Sequence, residues 1–264
     1  MSEGRLRPTE MWQPDGTGSI ARIGVLTPHL DPVPESELYT IAPAGVSVHA
    51  SRVPLGIVGP DGKLIPKIGP DVAADFARSE ALLDAAALLA PVSPDAIVFG
   101  FTSSSYILGA DADADLQRRL EECTDGIPAI IQSRAFVAAL RALGEERIAL
   151  FHPPWFAPAL HSLGVQYFEN EGFDIVYDGQ AELRAEFGEI APQELFDWVR
   201  PRVPDQAKVV LLAGGGMRAI GAIQALEDSL DRPVLSANQS AFWAALRAAK
   251  ADVKVAGYGG IFAS

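Results

Sequence analysis

The sequence predicts an α/β protein made of two pseudo-symmetric, doubly wound parallel-sheet halves, with a site in the cleft between them. Three observations lead there. Short, continuous apolar runs alternate with longer amphipathic ones. The later part of the chain repeats motifs of the earlier part in the same order. Each half carries a small-residue loop directly after an apolar run, where open α/β sheets bind ligands.

The strands come first. Residues 22–27 (RIGVLT), 46–53, 95–100, 128–132, 147–151, 173–177, 207–212 and 233–236 are short and mostly apolar throughout. That pattern fits parallel strands covered on both faces. Amphipathic stretches at 71–89, 111–122, 134–143, 156–171, 192–201, 217–230 and 240–250 are the expected helices. The βαβα alternation implies parallel sheets with helices on their faces. Residues 1–18, rich in Pro, Gly and charge, read as a loose tail. The first half is expected over 19–144 plus 251–264 and the second over 145–250.

The internal echo makes the two halves specific. RIGVLTPH (22–29) matches RIALFHPP (147–154). IVFGFTSSSYILG (97–109) matches VVLLAGGGMRAIG (209–221) in shape. IPAIIQSRAFVAALRALG (127–144) matches RPVLSANQSAFWAALRAAK (232–250), sharing Pro128/Pro233, Phe136/Phe242 and Leu140/Leu246. The equivalent loops of two such halves face one another.

Composition narrows the function. The net charge of −13 argues against sequence-independent nucleic-acid binding, which needs a basic face. A small anionic substrate remains compatible, because backbone dipoles act locally. The single cysteine, Cys123, excludes an internal disulfide and a multi-cysteine zinc site. No signal-peptide core and no membrane-length apolar run is present, so a cytoplasmic location is expected. Self-association is left open.

The loops carry the chemistry. In GFTSSSY (100–106), Thr102, Ser103, Ser104 and Ser105 offer hydroxyls where a helix begins. One of them suffices for an N-cap; the others suit a carboxylate or phosphate oxygen. In AGGGMR (213–218), Gly214, Gly215 and Gly216 offer amides, positive φ and close approach. The glycines also fit a dinucleotide fingerprint, but they lie late in the chain and no acidic residue ends the next strand. His29 and His152 end the matching first strands and are candidate acid–base groups, with Tyr106 a third. Trp155 is expected over the same cleft, with Phe101, Phe156 and Met217 completing an apolar wall. Cys123 lies outside these loops, and no metal-ligand spacing is present.

These residues resemble the aspartate/glutamate racemase superfamily, in the branch holding arylmalonate decarboxylase and maleate cis-trans isomerase. The resemblance runs over about 20–262 and rests on TPH, GFTSSSYILG, GIPAIIQSRAFVAALRALGEERIAL, LLAGGGMRAIGAIQALE, PVLSANQSAFWAALR and GYGGIF, in that order. It implies a site between two halves and no metal or organic cofactor. The family's cysteine positions fall at Phe101 and Gly214, so family-type thiolate proton transfer is not expected here. Thr102 and Ser103 match a carboxylate cradle. Trp155 replaces a tyrosine, with one residue of slip, and the amides near Gly215 match the opposite wall. The resemblance thus implies a lyase or isomerase of small carboxylates working through an enediolate. The alternatives are a non-catalytic carboxylate-binding or regulatory protein and a hydrolase with a hydroxyl nucleophile.

Overall fold

A computed structural model describes residues 16–56, 67–183 and 188–264. Most of the expected tail, 1–18, lies outside the described residues. The first half contributes β1 (Ala21–Pro28), α1 (Val33–Ile41), β2 (Val46–Val53), α2 (Pro70–Arg78), α3 (Glu80–Leu89), β3 (Ala96–Phe99), α4 (Ser103–Cys123), β4 (Ala129–Ile131) and α5 (Gln132–Leu143). The second contributes β5 (Arg147–His152), α6 (Pro158–Asn170), β6 (Asp174–Gln180), α7 (Pro192–Val199), β7 (Val209–Leu212), α8 (Ile220–Leu230), β8 (Val234–Ser236) and α9 (Ala237–Ala248).

The strands form two four-stranded parallel sheets, ordered β2-β1-β3-β4 and β6-β5-β7-β8. The second order is the first displaced by four strands, so the echo in sequence is an echo in topology. The central strands β3 (AIVF) and β7 (VVLL) are buried at every position. Helices cover both of their faces, and each large side chain so buried contributes about 1.5–3 kcal/mol. α5 packs against α9, its pseudo-symmetric equivalent, and α4 packs against α6. The closing segment 251–264, expected with the first half, is tied to α8 and α9. Gly260 N–H donates to Glu227 Oε2 at 2.9 Å and Gln239 Nε2 to the Tyr258 carbonyl at 2.6 Å.

Four local differences from the sequence reading have physical causes. α1 was not expected, because its buried face includes Glu37 beside Val33, Leu38 and Ile41, and a buried carboxylate interrupts the apolar period. The expected 71–89 helix breaks at Ser79, which is extended (φ −61°, ψ 131°). α4 starts at Ser103 rather than 111, and Gly109 (φ 77°, ψ 178°) kinks it. The expected 217–230 helix begins at Ile220, after a 3₁₀ turn over Gly215–Met217 and left-handed Arg218 (φ 51°). Among the described residues, no helix is long and apolar enough to cross a membrane.

Candidate functional site

The hydroxyl loop leaves β3 at Gly100, whose N–H donates to the Leu26 carbonyl at 2.9 Å. All four hydroxyl residues are buried, but they divide their work. Ser105 Oγ donates to Asp113 Oδ1 at 2.8 Å, across the Gly109 kink. Ser104 Oγ turns back toward the Phe101 carbonyl at 3.5 Å. Thr102 and Ser103 line the cavity. Their loop is braced from α5, where Ser133 Oγ donates to the Thr102 carbonyl at 3.0 Å.

The glycine loop faces it. Ala213 N–H extends the β5 pairing to the Phe151 carbonyl at 2.8 Å. Gly214 is then extended, with φ 180° and ψ 118°. The left-handed backbone expected at the glycines is not what fixes Gly214. Space is: a Cβ there would stand 2.9 Å from Pro153 Cγ and Cδ and 3.2 Å from Met217 Sδ. Met217 is fully buried behind the loop rather than in the cavity wall.

Thr102, Ser103 and Gly214–Gly216 meet in one cavity, walled by Phe101, Trp155 and Phe156. Its volume is about 20 Å³. A single water needs about 10–15 Å³, so the cavity as it stands has room for about one. Phe101 is anchored in the core, its ring centroid 4.5 Å from that of Phe76. Trp155 is bridged through its carbonyl, which accepts from Ile68 N–H at 2.8 Å.

Asp31 also lines this cavity, and the sequence reading missed it. It is 5 % exposed, and Oδ1 accepts the Val33 N–H at 2.9 Å, anchoring the first turn of α1. Burial raises its pKa to about 6, against the lowering pull of that hydrogen bond and of Arg52. The available signal was an aspartate three residues past the strand-end Thr27-Pro28, just before Pro32 and Pro34 at the opening of a helix.

The candidate acid–base groups stand elsewhere. His29 is exposed and does not line the cavity; its Nδ1 accepts the Leu55 N–H at 3.0 Å. His152 is fully buried, but its ring turns under α6 rather than into the cavity. A Cβ on Gly164 would lie 2.7 Å from its Nε2. His152 Nδ1 pairs with His161 Nδ1 at 2.9 Å, and His161 Nε2 with Asp178 Oδ2 at 2.9 Å. Burial, then the neighbouring His161, lower the His152 pKa well below the usual value, so the ring is neutral. Tyr106 packs on His152 with centroids 5.5 Å apart, outside the cavity wall. Its phenol is held strongly protonated by burial. Cys123 is half-buried at the end of α4, its Sγ toward the Leu120 carbonyl. Among the described residues, no group of three His, Cys, Asp or Glu side chains is placed to hold a metal ion.

The family model for arylmalonate decarboxylase matches residues 76–262. The chain belongs to the arylmalonate decarboxylase family. It is similar to arylmalonate decarboxylase from Bordetella bronchiseptica, 28 % identical over 255 residues, covering 92 % of this chain and 97 % of that protein. A crystal structure of a liganded double variant of arylmalonate decarboxylase superposes with a TM-score of 0.75 at 26 % identity, over 92 % of this chain and 98 % of that one. The maleate isomerase of Pseudomonas putida shares the fold, with a TM-score of 0.80 at 21 % identity, over 92 % and 98 % of the two chains. The cavity lies at the carboxyl ends of strands from both sheets, where open α/β sheets bind ligands.

Proposed function

We propose that the protein is a cofactor-independent lyase or isomerase of small dicarboxylates that works through an enediolate, with decarboxylation of a malonate-type substrate as its leading reaction. The observation that carries this reading is one cavity bringing together Thr102 and Ser103, the glycine loop and buried Asp31.

The Thr102 and Ser103 hydroxyls and the amides of the two loops hold one carboxylate. The second carboxylate faces Phe101, Trp155 and Phe156, where poor solvation favours its loss. As CO₂ departs, the electron pair of the breaking C–C bond passes into the retained carboxylate and forms the enediolate. Donors aimed at its oxygens stabilise the developing charge. The protonated Asp31 carboxyl then gives its proton to the α-carbon and recovers one from solvent. Asp31 takes this role ahead of His29, His152 and Tyr106 because it alone of the four lines the cavity. Isomerisation by proton removal and return at an α-carbon uses the same cradle. Phe101 and Gly214 stand at the family's cysteine positions in this reading, and the aspartate replaces the thiol.

The test is proton NMR in D₂O at high enzyme concentration with malonate, methylmalonate, phenylmalonate and maleate. Expected is loss of CO₂ with one deuteron gained at the α-carbon, abolished by Thr102→Val with Ser103→Ala. The double variant should also weaken malonate binding by about 1–3 kcal/mol. Absence of both turnover and binding of any of these acids overturns the reading. Binding without turnover marks a carboxylate-binding protein, the reading favoured by the lack of a cysteine at the cavity.

A further inference from the structure

Behind the glycine loop lies a buried polar chain that the proposed reaction does not use. Glu37 on α1 is 5 % exposed and accepts two hydrogen bonds. Ile220 N–H at the start of α8 donates to Oε1 at 3.0 Å, and Asn238 Nδ2 on α9 donates to Oε2 at 2.7 Å. The second Asn238 Nδ2 hydrogen goes to the Gly215 carbonyl at 2.8 Å. Asn238 Oδ1 accepts from Gln132 Nε2 of α5 at 2.8 Å. Both amide hydrogens and the amide oxygen of Asn238 thus have partners, each on a different segment.

We infer that Glu37, acting through Asn238, is the positioning residue that aims the glycine-loop amides at the cavity. The argument is geometric. In a trans peptide the C=O and the next N–H point in opposite directions. Asn238 draws the Gly215 carbonyl inward toward α9, so the Gly216 N–H of that peptide is turned the other way, to the side where Gly216 lines the cavity. Glycines supply no side chain to hold this plane, so the orientation must come from outside the loop. A carboxylate at position 37 fixes the Asn238 amide the right way round. A flipped amide would set its oxygen against both Glu37 and the Gly215 carbonyl.

The ionised form is the one that only accepts, and so fits these donors. Burial raises the Glu37 pKa to about 7, with Asp31 adding to the rise, against Asn238, the Ile220 amide and Arg218, which lower it. The positioning is therefore strongest above neutrality and loosens as Glu37 takes up a proton. The inference rests on the carboxylate cradle for its function, but the wiring is testable without any substrate.

The experiment follows the Gly215 and Gly216 amide resonances by ¹⁵N NMR between about pH 5.5 and 8.5, across the Glu37 titration. In the wild-type protein they are expected to shift with a midpoint near that of Glu37. In Glu37→Gln, which keeps an acceptor but not the titration, their step near 7 should vanish and leave only the one that Asp31 causes at about 6. In Asn238→Leu they should move and exchange faster with solvent. Resonances that ignore pH in the wild type and are unchanged in Glu37→Gln overturn the inference, even if Asn238→Leu does not fold. A parallel calorimetric titration with malonate separates the two ideas. Wild type that fails to bind malonate refutes the cradle, while the amide shifts still decide the wiring. If wild type binds, Asn238→Leu is expected to lose about tenfold in affinity, and Glu37→Gln to lose the pH dependence of binding.

Discussion

Gln132 Nε2 donates to Asn238 Oδ1 at 2.8 Å, joining positions 106 residues apart in the chain. The same spacing relates Phe136 to Phe242, so the two amides occupy equivalent positions of the repeated motif. α5 and α9, which carry them, pack directly against one another. Removing Asn238 alone takes the partner from Glu37 Oε2, the Gly215 carbonyl and Gln132 Nε2, whereas removing Gln132 alone takes it only from the Asn238 oxygen. Asn238→Leu is therefore expected to cost about 2–4 kcal/mol and Gln132→Leu about 1–2. The double variant should cost less than their sum by about 1 kcal/mol or more. Urea denaturation of the four proteins measures this; strict additivity would show that the pair is not coupled.

Asp31→Asn keeps the size of the side chain and an oxygen for the Val33 amide, but removes the proton that the proposed reaction needs. Turnover of the active substrate is expected to fall by about 100-fold or more, with malonate affinity little changed. In the wild-type protein the rate should decline as pH rises through about 6, where burial has placed the Asp31 titration. A steady-state pH profile of both proteins checks this, and an unaltered rate in Asp31→Asn would remove Asp31 from the mechanism.

Stability should also depend on pH in an uncommon direction. The folded-state pKa values of Asp31, Glu37 and Asp113 are raised by burial to about 6, 7 and 6, from 3.8, 4.5 and 3.8. Between each pair of values the native state binds more protons than the unfolded chain, so stability falls as pH rises from about 4 to 7. Glu37 alone contributes a change of about 3 kcal/mol over that window at most. Thermal melts at successive pH values are expected to show the decline, and Glu37→Gln should flatten it. A wild-type profile that instead rises across this window contradicts the burial argument.

Gly214 is held by crowding, not by backbone angle. Gly214→Ala should destabilise by about 1–3 kcal/mol through overpacking on the Pro153 ring. Pro153→Ala in the same chain, which removes the two contacting carbons, should recover most of the loss. Gly214→Cys in that relieved background places a thiol at the cavity, where it is expected to react with iodoacetamide faster than Cys123. Burial raises the Cys123 pKa and slows its attack. Equal reactivity of the two thiols would place residue 214 outside the site.

Much of this molecule was legible in the amino-acid order. Short apolar runs such as VVLL and AIVF, alternating with longer amphipathic stretches, fit strands buried on both faces, and the repeated motifs pointed to two halves of like topology. Thr102, Ser103 and the three glycines were legible for the same reason: small residues directly after a buried parallel strand lie at its carboxyl end. Side-chain direction was not legible. His152 ends a strand as its motif demands, yet its ring turns beneath α6, because alternate strand positions face opposite sides and nothing local records which side holds the ligand. Asp31 and Glu37 were invisible for a different reason. A carboxylate reads as surface until the fold buries it, and for Glu37 only packing from both halves supplies the partners that make such burial tolerable. Glu37 meets Asn238 across 201 residues and Ile220 across 183. Those distances in sequence carry no local signal, so the tertiary structure alone selected which acids leave the solvent.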